Sequence, residues 1–445
     1  MSSQRSKVNI ELDSEPIRKL IVKLSLPSMI GIISYNLYNI IDTIYVSKLI
    51  GVDAAGGLAV SFPLFVLLSA VSTTLGSGAS SLISRAIGNK DYQKANIIAA
   101  NTFVVFWLFA LLMTVTGLLF LKPMLFLMGV TEHTLSYAMD YCRIILIGAV
   151  TSTGFSSLMR AEGASRYAMY QWVIPILVNI ILDPIFIFGF KLGITGAALA
   201  TIISQCASVM MFVYFYFISK KSLLSIRMKH FHPNFVKIKE ILIIGFPSLI
   251  QMSSYAISVI IINHILGNNG DTISIGTYGI SNKIFGFFLI PIHGLVQGIQ
   301  PIIGYNYGAG KYERAKTTLM TSIYYVGVYG IIIAVLFMLL SNQLMKLFSD
   351  QNEVIELGSF ILKIIGVGIA FFGMYTIQSI YFTAIGKAKI ALFFAVCHNL
   401  LCFVPMVIIL NQYMGSFGVW ISFPASNILT WIITTVIMLH SRYRA

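Results

Sequence analysis

Apolar residues in this chain do not alternate with polar ones; they run together in blocks of twenty or more, separated by short stretches containing Lys, Arg, Gly or Pro. A block of about 20 apolar residues crosses the roughly 30 Å hydrocarbon core as a helix, which satisfies its own backbone hydrogen bonds in lipid. The blocks predict twelve helices, near 20–48, 55–83, 96–121, 134–159, 166–190, 193–219, 238–266, 273–305, 316–340, 354–385, 388–410 and 415–440. The first block follows a polar leader and runs straight on into the second, so it reads as a retained span rather than a signal peptide. No connection is long enough to hold a separate soluble domain. The expected fold is an all-α integral membrane protein.

Composition agrees: 57% of residues are hydrophobic and only 10% charged, with a mean hydropathy of +0.85, where soluble domains run near a quarter charged. The net charge of +14 would suit nucleic acid if it formed one surface, but its placement argues against that partner. Basic residues gather in the leader and in alternate connections: Arg5, Lys7, Arg18, Lys19 and Lys23, then Arg85, Lys90 and Lys94, then Arg160 and Arg166. They resume at Lys220, Lys221, Arg227, Lys229, Lys237 and Lys239, at Lys311, Arg314 and Lys316, at Lys387 and Lys389, and at Arg442 and Arg444. The positive-inside rule then puts both termini in the cytoplasm of a multi-pass protein of the cell membrane.

The chain also repeats itself. Leu26-Pro27-Ser28 recurs as Phe246-Pro247-Ser248, and Ile87-Gly88-Asn89-Lys90-Asp91-Tyr92-Gln93-Lys94-Ala95 recurs around Gly308-Ala309-Gly310-Lys311-Tyr312, both at an offset of 220 residues; Gly193 and Gly196 answer Gly415 and Gly418 at 222. The expected organisation is a cytoplasmic leader (1–19), a first lobe of six helices (20–219), a cytoplasmic linker (220–237), a second lobe of six helices (238–440) and a cytoplasmic tail (441–445). Even-numbered repeats share one orientation, so the lobes should be related by a pseudo-two-fold axis along the membrane normal, with a cavity between them, as in transporters.

Few acids lie deep in a span. Asp42 and Asp183 are the clear ones, Asp140 and Glu162 sit near the ends of the fourth, and the second half has none. An ionisable residue inside the membrane marks a functional site by default. Asp183 lies 17 residues beyond Arg166, about 25 Å along the fifth helix, and Asp42 is similarly late in the first, so both fall in the outer half of the membrane. Tyr35, Tyr38, Asn39 and Asp42 form one helical stripe. Asn179 precedes Asp183 by one turn, and Pro184 frees the carbonyl of Ile180 because it has no N–H to donate. The sixth helix offers Thr201 and Gln205. Together these make an oxygen-rich pocket fit for Na⁺ or for a proton, whose carboxyl would be pushed upward by burial and by a second acid.

Other chemistry is excluded or bland. Gly310-Lys311 and Gly386-Lys387 lack the rest of a phosphate-binding loop, and no zinc-protease or nucleophile-elbow motif occurs, which argues against an enzyme. Cys142, Cys206, Cys397 and Cys402 have no CxxC partner and read as small core residues. Gln251, His264, His293, Gln297, Gln300, Gln378, His398 and Asn399 read first as hydrogen-bonded packing and second as proton relays. Glu162 and Arg166 read as a surface salt bridge across a turn. The 19 Met and 57 aromatic residues suit a cavity for varied apolar cations, although most should pack or face lipid.

The segment Asn179-Ile-Ile-Leu-Asp183-Pro184, the Leu26-Pro27 and Phe246-Pro247 openings, Ser84-Arg85-Ala86-Ile87-Gly88 with its repeat, and the Arg160-Ala161-Glu162-Gly163 turn resemble the multidrug and toxin extrusion (MATE) family of the MOP flippase superfamily, its MepA-type branch most of all. The resemblance implies an outward-opening V that exports organic cations in exchange for H⁺ or Na⁺, contributes to antibiotic resistance and needs no cofactor. It puts the ion site at Asp42, Asn179, Asp183 and Thr201, with Tyr38 one turn away and Tyr35, Asn39, Pro184 and Gln205 in support; Na⁺, if it is the ion, would sit among the first four. Where NorM-like members carry acids on helices 7 and 10, this chain has Gln251 and Gln378, which disfavours a site of that type. The expected partners are small organic cations and the lipid bilayer, with the protein acting as a monomer. The rivals are a lipid-linked oligosaccharide flippase, for which only Lys283 and Lys363 could supply intramembrane basic charge, and a membrane-embedded enzyme, for which no catalytic acid cluster is present.

Overall fold

Apolar blocks separated by glycine, proline and charge fold into helices that begin and end at those separators. The computed structural model describes residues 12–442, except 51, 129, 152–155, 220, 227–229, 232 and 269–271, and among the described residues every regular element is helical. Twelve segments cross the molecule. In the first half they are α1 (Ile17–Leu49), α2 (Val52–Gly88), α3 (Tyr92–Leu119), α4 (Glu132–Ile147, continued by Ser156–Ala161), α5 (Ser165–Pro184, extended as a π-helix through Ile185–Gly189) and α6 (Gly193–Val213, extended through Tyr214–Ile218). In the second half they are α7 (Phe235–Asn268), α8 (Thr272–Gly308), α9 (Tyr312–Lys346), α10 (Asn352–Val367 and Ile369–Ala384), α11 (Ala388–Met414) and α12 (Ser416–Arg442). The protein is an all-α membrane protein: a helical segment stands within a few residues of each predicted limit, and among the described residues nine of them, or ten with the bent α10, are long and apolar enough to cross a membrane.

The sequence repeat is a structural repeat. Tyr92 and Tyr312 both open helices, as do Glu132 and Asn352, in each case 220 residues apart. The turns before Tyr92 and Tyr312 are built alike: Asp91 N–H donates to the Ala86 carbonyl and Lys311 N–H to that of Asn306, each at 2.8 Å. Both turns need one left-handed residue, which is Lys90 in the first (φ 59°) and Gly310 in the second (φ 74°).

The halves meet along a seam of backbone contacts. Between helices in lipid there is no hydrophobic driving force, so close association falls to small residues that let backbones touch. A Cβ on Gly245 of α7 would lie 1.9 Å from the Thr74 carbonyl oxygen of α2, and one on Gly78 would lie 2.0 Å from the Ile241 carbonyl oxygen of α7. The repeat produces the counterpart at an offset of 220, where Gly298 of α8 meets the Ser25 backbone of α1 and Gly294 meets that of Met29. Gly88 and Gly308 complete the seam, against Tyr305 and Arg85. Ser81 Oγ donates to the Thr383 carbonyl at 2.6 Å, and Gln300 Nε2 to that of Ser77 at 3.1 Å. The segment ahead of α1 joins in: Asp13 pairs with Lys311 at 2.6 Å, and Arg314 donates to the Leu12 and Glu15 carbonyls.

All these contacts lie toward the end of the bundle where α1 begins and α12 ends, the terminal end. There the buried apolar residues of both halves form one cluster, from Leu20 and Ile83 through Ile299 and Ile303 to Phe382. Toward the other end the cores separate: Val46, Tyr141 and Ile194 belong to one, Leu64, Leu125 and Leu146 to another, and Ile262, Phe337 and Trp420 to a third confined to the second half. The halves are thus joined at the terminal end and separately packed at the far end.

Gly245→Ala should force α2 and α7 apart at a cost of about 1–3 kcal/mol, seen as a lower melting temperature in detergent. Gly279→Ala, whose new methyl group meets nothing within 4 Å, should leave the melting temperature unchanged.

Candidate functional site

The polar interruption in α5 is built by local chemistry. Pro184 has no N–H, so the helical hydrogen-bond register changes there: Ile185 N–H donates to the Leu182 carbonyl, and Phe190 N–H reaches back five residues to Ile185. This widened turn follows directly on Asp183. Asn179 and Asp183 are both fully buried, and Asn179 Nδ2 donates to Asp183 Oδ1 at 3.0 Å. Among the described residues, the side-chain oxygen Oδ1 of Asn179 is buried with no hydrogen-bond partner. A buried acceptor left in that state is costly unless a donor or cation comes to it.

Around this pair, Thr201 is 1% exposed on α6, which packs along α5, and Gln205 is half-buried one turn on. Tyr35 of α1 sets its ring edge-on to Trp172 of α5, with centroids 5.1 Å apart. Asp42, Tyr38 and Asn39 also lie on α1, but their side chains fall outside the described residues. The helix register still gives the level of Asp42. Gly31 faces Trp172, with a Cβ placed there 3.5 Å from the indole. Asp42 lies eleven residues beyond Gly31 and Asp183 eleven beyond Trp172. Since α1 and α5 run in the same direction, both acids belong to helix positions about 16 Å past that shared contact.

In the second half, Gln378 is bonded rather than free: its Oε1 accepts from Thr434 Oγ, and its Nε2 donates to Thr435 Oγ at 2.9 Å. Cys142, Cys397 and Cys402 are buried, Cys206 is half-buried, and none is in a disulfide.

Comparison with known proteins decides what this architecture is. The MatE family model matches residues 27–185 and 244–409, one block in each half. The chain belongs to the MatE family. Among its relatives is the multidrug export protein MepA of Staphylococcus aureus (strain MSSA476), 28% identical over 417 residues, covering 92% of this chain and 90% of the relative. The MepA of Staphylococcus haemolyticus (strain JCSC1435) is 29% identical over 421 residues with the same coverage. A solved multidrug-resistance MATE transporter in an outward-facing conformation superposes with a TM-score of 0.90 at 27% identity, covering 98% of this chain and 97% of that one. A MATE protein in a bent conformation superposes at 0.91 with the same identity and coverage.

One residue of this MatE chain was misjudged from sequence. Glu162 does not form a surface salt bridge with Arg166. Arg166 is exposed, whereas Glu162 is 1% exposed and turns inward. Its carboxylate accepts from Leu223 N–H at 2.6 Å and from Ser222 Oγ at 2.9 Å, with Tyr216 alongside. The carboxylate thus pins the start of the connection between the halves to the α4–α5 turn. Burial pushes its pKa up to about 7, and the hydrogen bonds from Ser222 and Leu223 oppose that rise only in part. The signal that could have found it is Ser222, a hydroxyl amid the basic run beginning at Lys220, but nothing in the spacing ties it to residue 162.

The direction of the resulting pH effect follows. With a folded-state pKa near 7 and an ordinary value of 4.5, the unfolded chain ionises first as pH rises. Stability from this group is therefore full below about 4.5, falls between 4.5 and 7, and stays lower above that, by on the order of 3 kcal/mol at most. Melting temperatures recorded from pH 5 to pH 8 should decline for the wild type and decline less for Glu162→Gln.

Proposed function

We propose that this protein is a secondary active antiporter that exports organic, mostly cationic amphipathic compounds across the cell membrane in exchange for H⁺ or Na⁺. The observation that carries this reading is the buried Asn179–Asp183 pair, in which the asparagine donates to the acid while its own side-chain oxygen meets no donor among the described residues. Such a site takes up a positive species, either a proton on the carboxylate or a desolvated alkali cation among hard oxygens. The family resemblance supplies the remaining members: Asp42 opposite Asp183, Thr201 from α6, and Tyr38 one turn from Asp42. Tyr35, Asn39, Pro184 and Gln205 would support them.

Orientation follows from charge. The basic connections lie at the terminal end, which the positive-inside rule assigns to the cytoplasm. The glycine seam then closes the cytoplasmic side, and the separately packed far ends open outward. In this state a cation from outside reaches the site and a drug leaves the cleft. An ion shifts the balance between outward- and inward-open states only as far as it binds one more tightly than the other. Asp42 and Asp183 give that difference if they face one another in one state and separate in the other, since a proton or Na⁺ relieves the repulsion between two close carboxylates. The names of the MepA relatives support drug-like substrates, and a chain with 19 Met and 57 aromatic residues can supply groups that suit hydrophobic cations.

Proteoliposomes loaded with an ethidium-like cation test this directly. An imposed H⁺ or Na⁺ gradient should drive efflux in the wild type, and Asp183→Asn should reduce it to the rate of protein-free liposomes. Efflux at the wild-type rate in Asp183→Asn would remove coupling from this site.

A further inference from the structure

The second half has no deep carboxylate, yet it places a histidine beside the amide that answers Asn179. The helix corresponding to α5 is α11, and Asn399 to Pro405 answers Asn179 to Pro184 with one extra residue. That residue is absorbed by the π-helical stretch Cys397–Phe403 in the middle of α11; inserting one residue into a helix is how such stretches arise, and they are frequent at functional sites. On α12, Asn427 corresponds to Gln205 of α6 at the same offset of 222 that relates Gly418 to Gly196. His398 stands between these two amides. Its Nδ1 is 3.0 Å from Asn399 Oδ1 and its Nε2 is 2.7 Å from Asn427 Oδ1.

An imidazole with an acceptor at each nitrogen is matched as a cation, because only the protonated ring donates at both ends. The neutral ring donates at one nitrogen and accepts at the other. A terminal asparagine torsion turned by 180° exchanges its oxygen for NH₂ in nearly the same place, so this cage can serve both forms without leaving a nitrogen unpaired. Ring packing holds the imidazole still: Tyr375 of α10 stacks on it with centroids 4.7 Å apart at 20°, and Phe372 and Phe403 close its sides. The titratable neighbours are Tyr375, the Cys397 and Cys402 thiols of its own helix, and His293 of α8 behind Phe372. Among the described residues no carboxylate, lysine or arginine interacts with His398.

The amide of Asn427 also touches a bend in a neighbouring helix. Helix α10 bends by 45° between Val367 and Ile369. A Cβ on Gly368, at the bend, would lie 2.6 Å from Asn427 Nδ2 and 2.9 Å from the Pro424 Cα of α12. Turning the Asn427 amide would therefore present an oxygen instead of NH₂ to the bend.

We propose that the second half carries its own proton-binding site, the imidazole of His398 held between Asn399 and Asn427, and that its protonation is read out through Asn427 at the bend of α10. This site is separate from the Asp183 cluster and does not depend on the coupling role given to it. The test uses the full chain in nanodiscs, with ring-¹⁵N histidine NMR and amide exchange over residues 365–372, both across pH 5.5 to 8.5. The His398 signals, identified by their loss in His398→Gln, should titrate, and exchange at 365–372, corrected for intrinsic chemistry, should change about threefold or more in the wild type. That pH dependence should vanish in His398→Gln and persist in Asp183→Asn. Asn427→Asp places a carboxylate beside the ring and should raise its titration midpoint by about one unit or more. A single protonation state throughout, an unchanged exchange profile in His398→Gln, or an unmoved midpoint in Asn427→Asp would each overturn the proposal.

Discussion

The structure depends on the contact of bare backbone with bare backbone. In a membrane the apolar faces of two helix bundles gain nothing by leaving lipid for each other, so the halves are held by how closely they can approach. Gly78 and Gly245 bring α2 and α7 together, and their counterparts Gly298 and Ser25 bring α8 and α1 together. Because each helix pair is generated twice by the repeat, one glycine seam becomes a two-fold one. It occupies only the terminal end. The other ends have separate cores and can part without exposing a shared apolar interior.

That division determines where polar chemistry can sit. Ser81, Gln300 and Arg314 serve the seam and are spent on backbone carbonyls. The polar groups of α5 and α11 instead sit beside breaks in the helical register, made by Pro184 near the far end of α5 and by an extra residue in the middle of α11. A broken register is tolerated in lipid only where protein surrounds it, and in both helices the break accompanies a buried amide next to a titratable side chain. The repeat retains the amide, Asn179 in one helix and Asn399 in the other, while its titratable neighbour differs in kind and position: Asp183 one turn after Asn179, His398 immediately before Asn399.

Much of this was legible in the sequence because it is periodic. Twelve apolar blocks, the offset of 220 and the alternation of basic connections are patterns that extend over hundreds of residues, and a short error in any boundary leaves them intact. The place of Asp183 late in α5 was readable for the same reason: a helix advances by a fixed rise per residue. What could not be read depends on one partner. The glycines of the seam look like any others until the carbonyl each one meets is known. Glu162 looked exposed because it stands beside Arg160 and Arg166 in a turn, and its real partners, Ser222 and Leu223, are about sixty residues away in a connection that carries no motif. The extra residue in α11 was invisible because an insertion into a helix leaves the apolar run unbroken.

Glu162 also bears on how the halves communicate. The connection between α6 and α7 is the only covalent link between them, and a slack link would transmit nothing. Its first described residues are instead fixed: Ser222 and Leu223 to Glu162, Leu224 N–H to Ser222 Oγ at 3.0 Å, and Ser225 N–H to Asn96 Oδ1 at 2.7 Å. Asn101 repeats the arrangement further along by accepting from Asn234 N–H at 2.8 Å, just before α7 begins. The connection is therefore pinned to the first half at both ends, at α3 and at the α4–α5 turn. A movement of α7 relative to the first half must then be taken up at Phe235 and beyond, against the Gly245 contact, and not in the connection itself. The seam and the pinned connection together hold α7 to the first half near its terminal end in the state seen here, while the far ends keep separate cores.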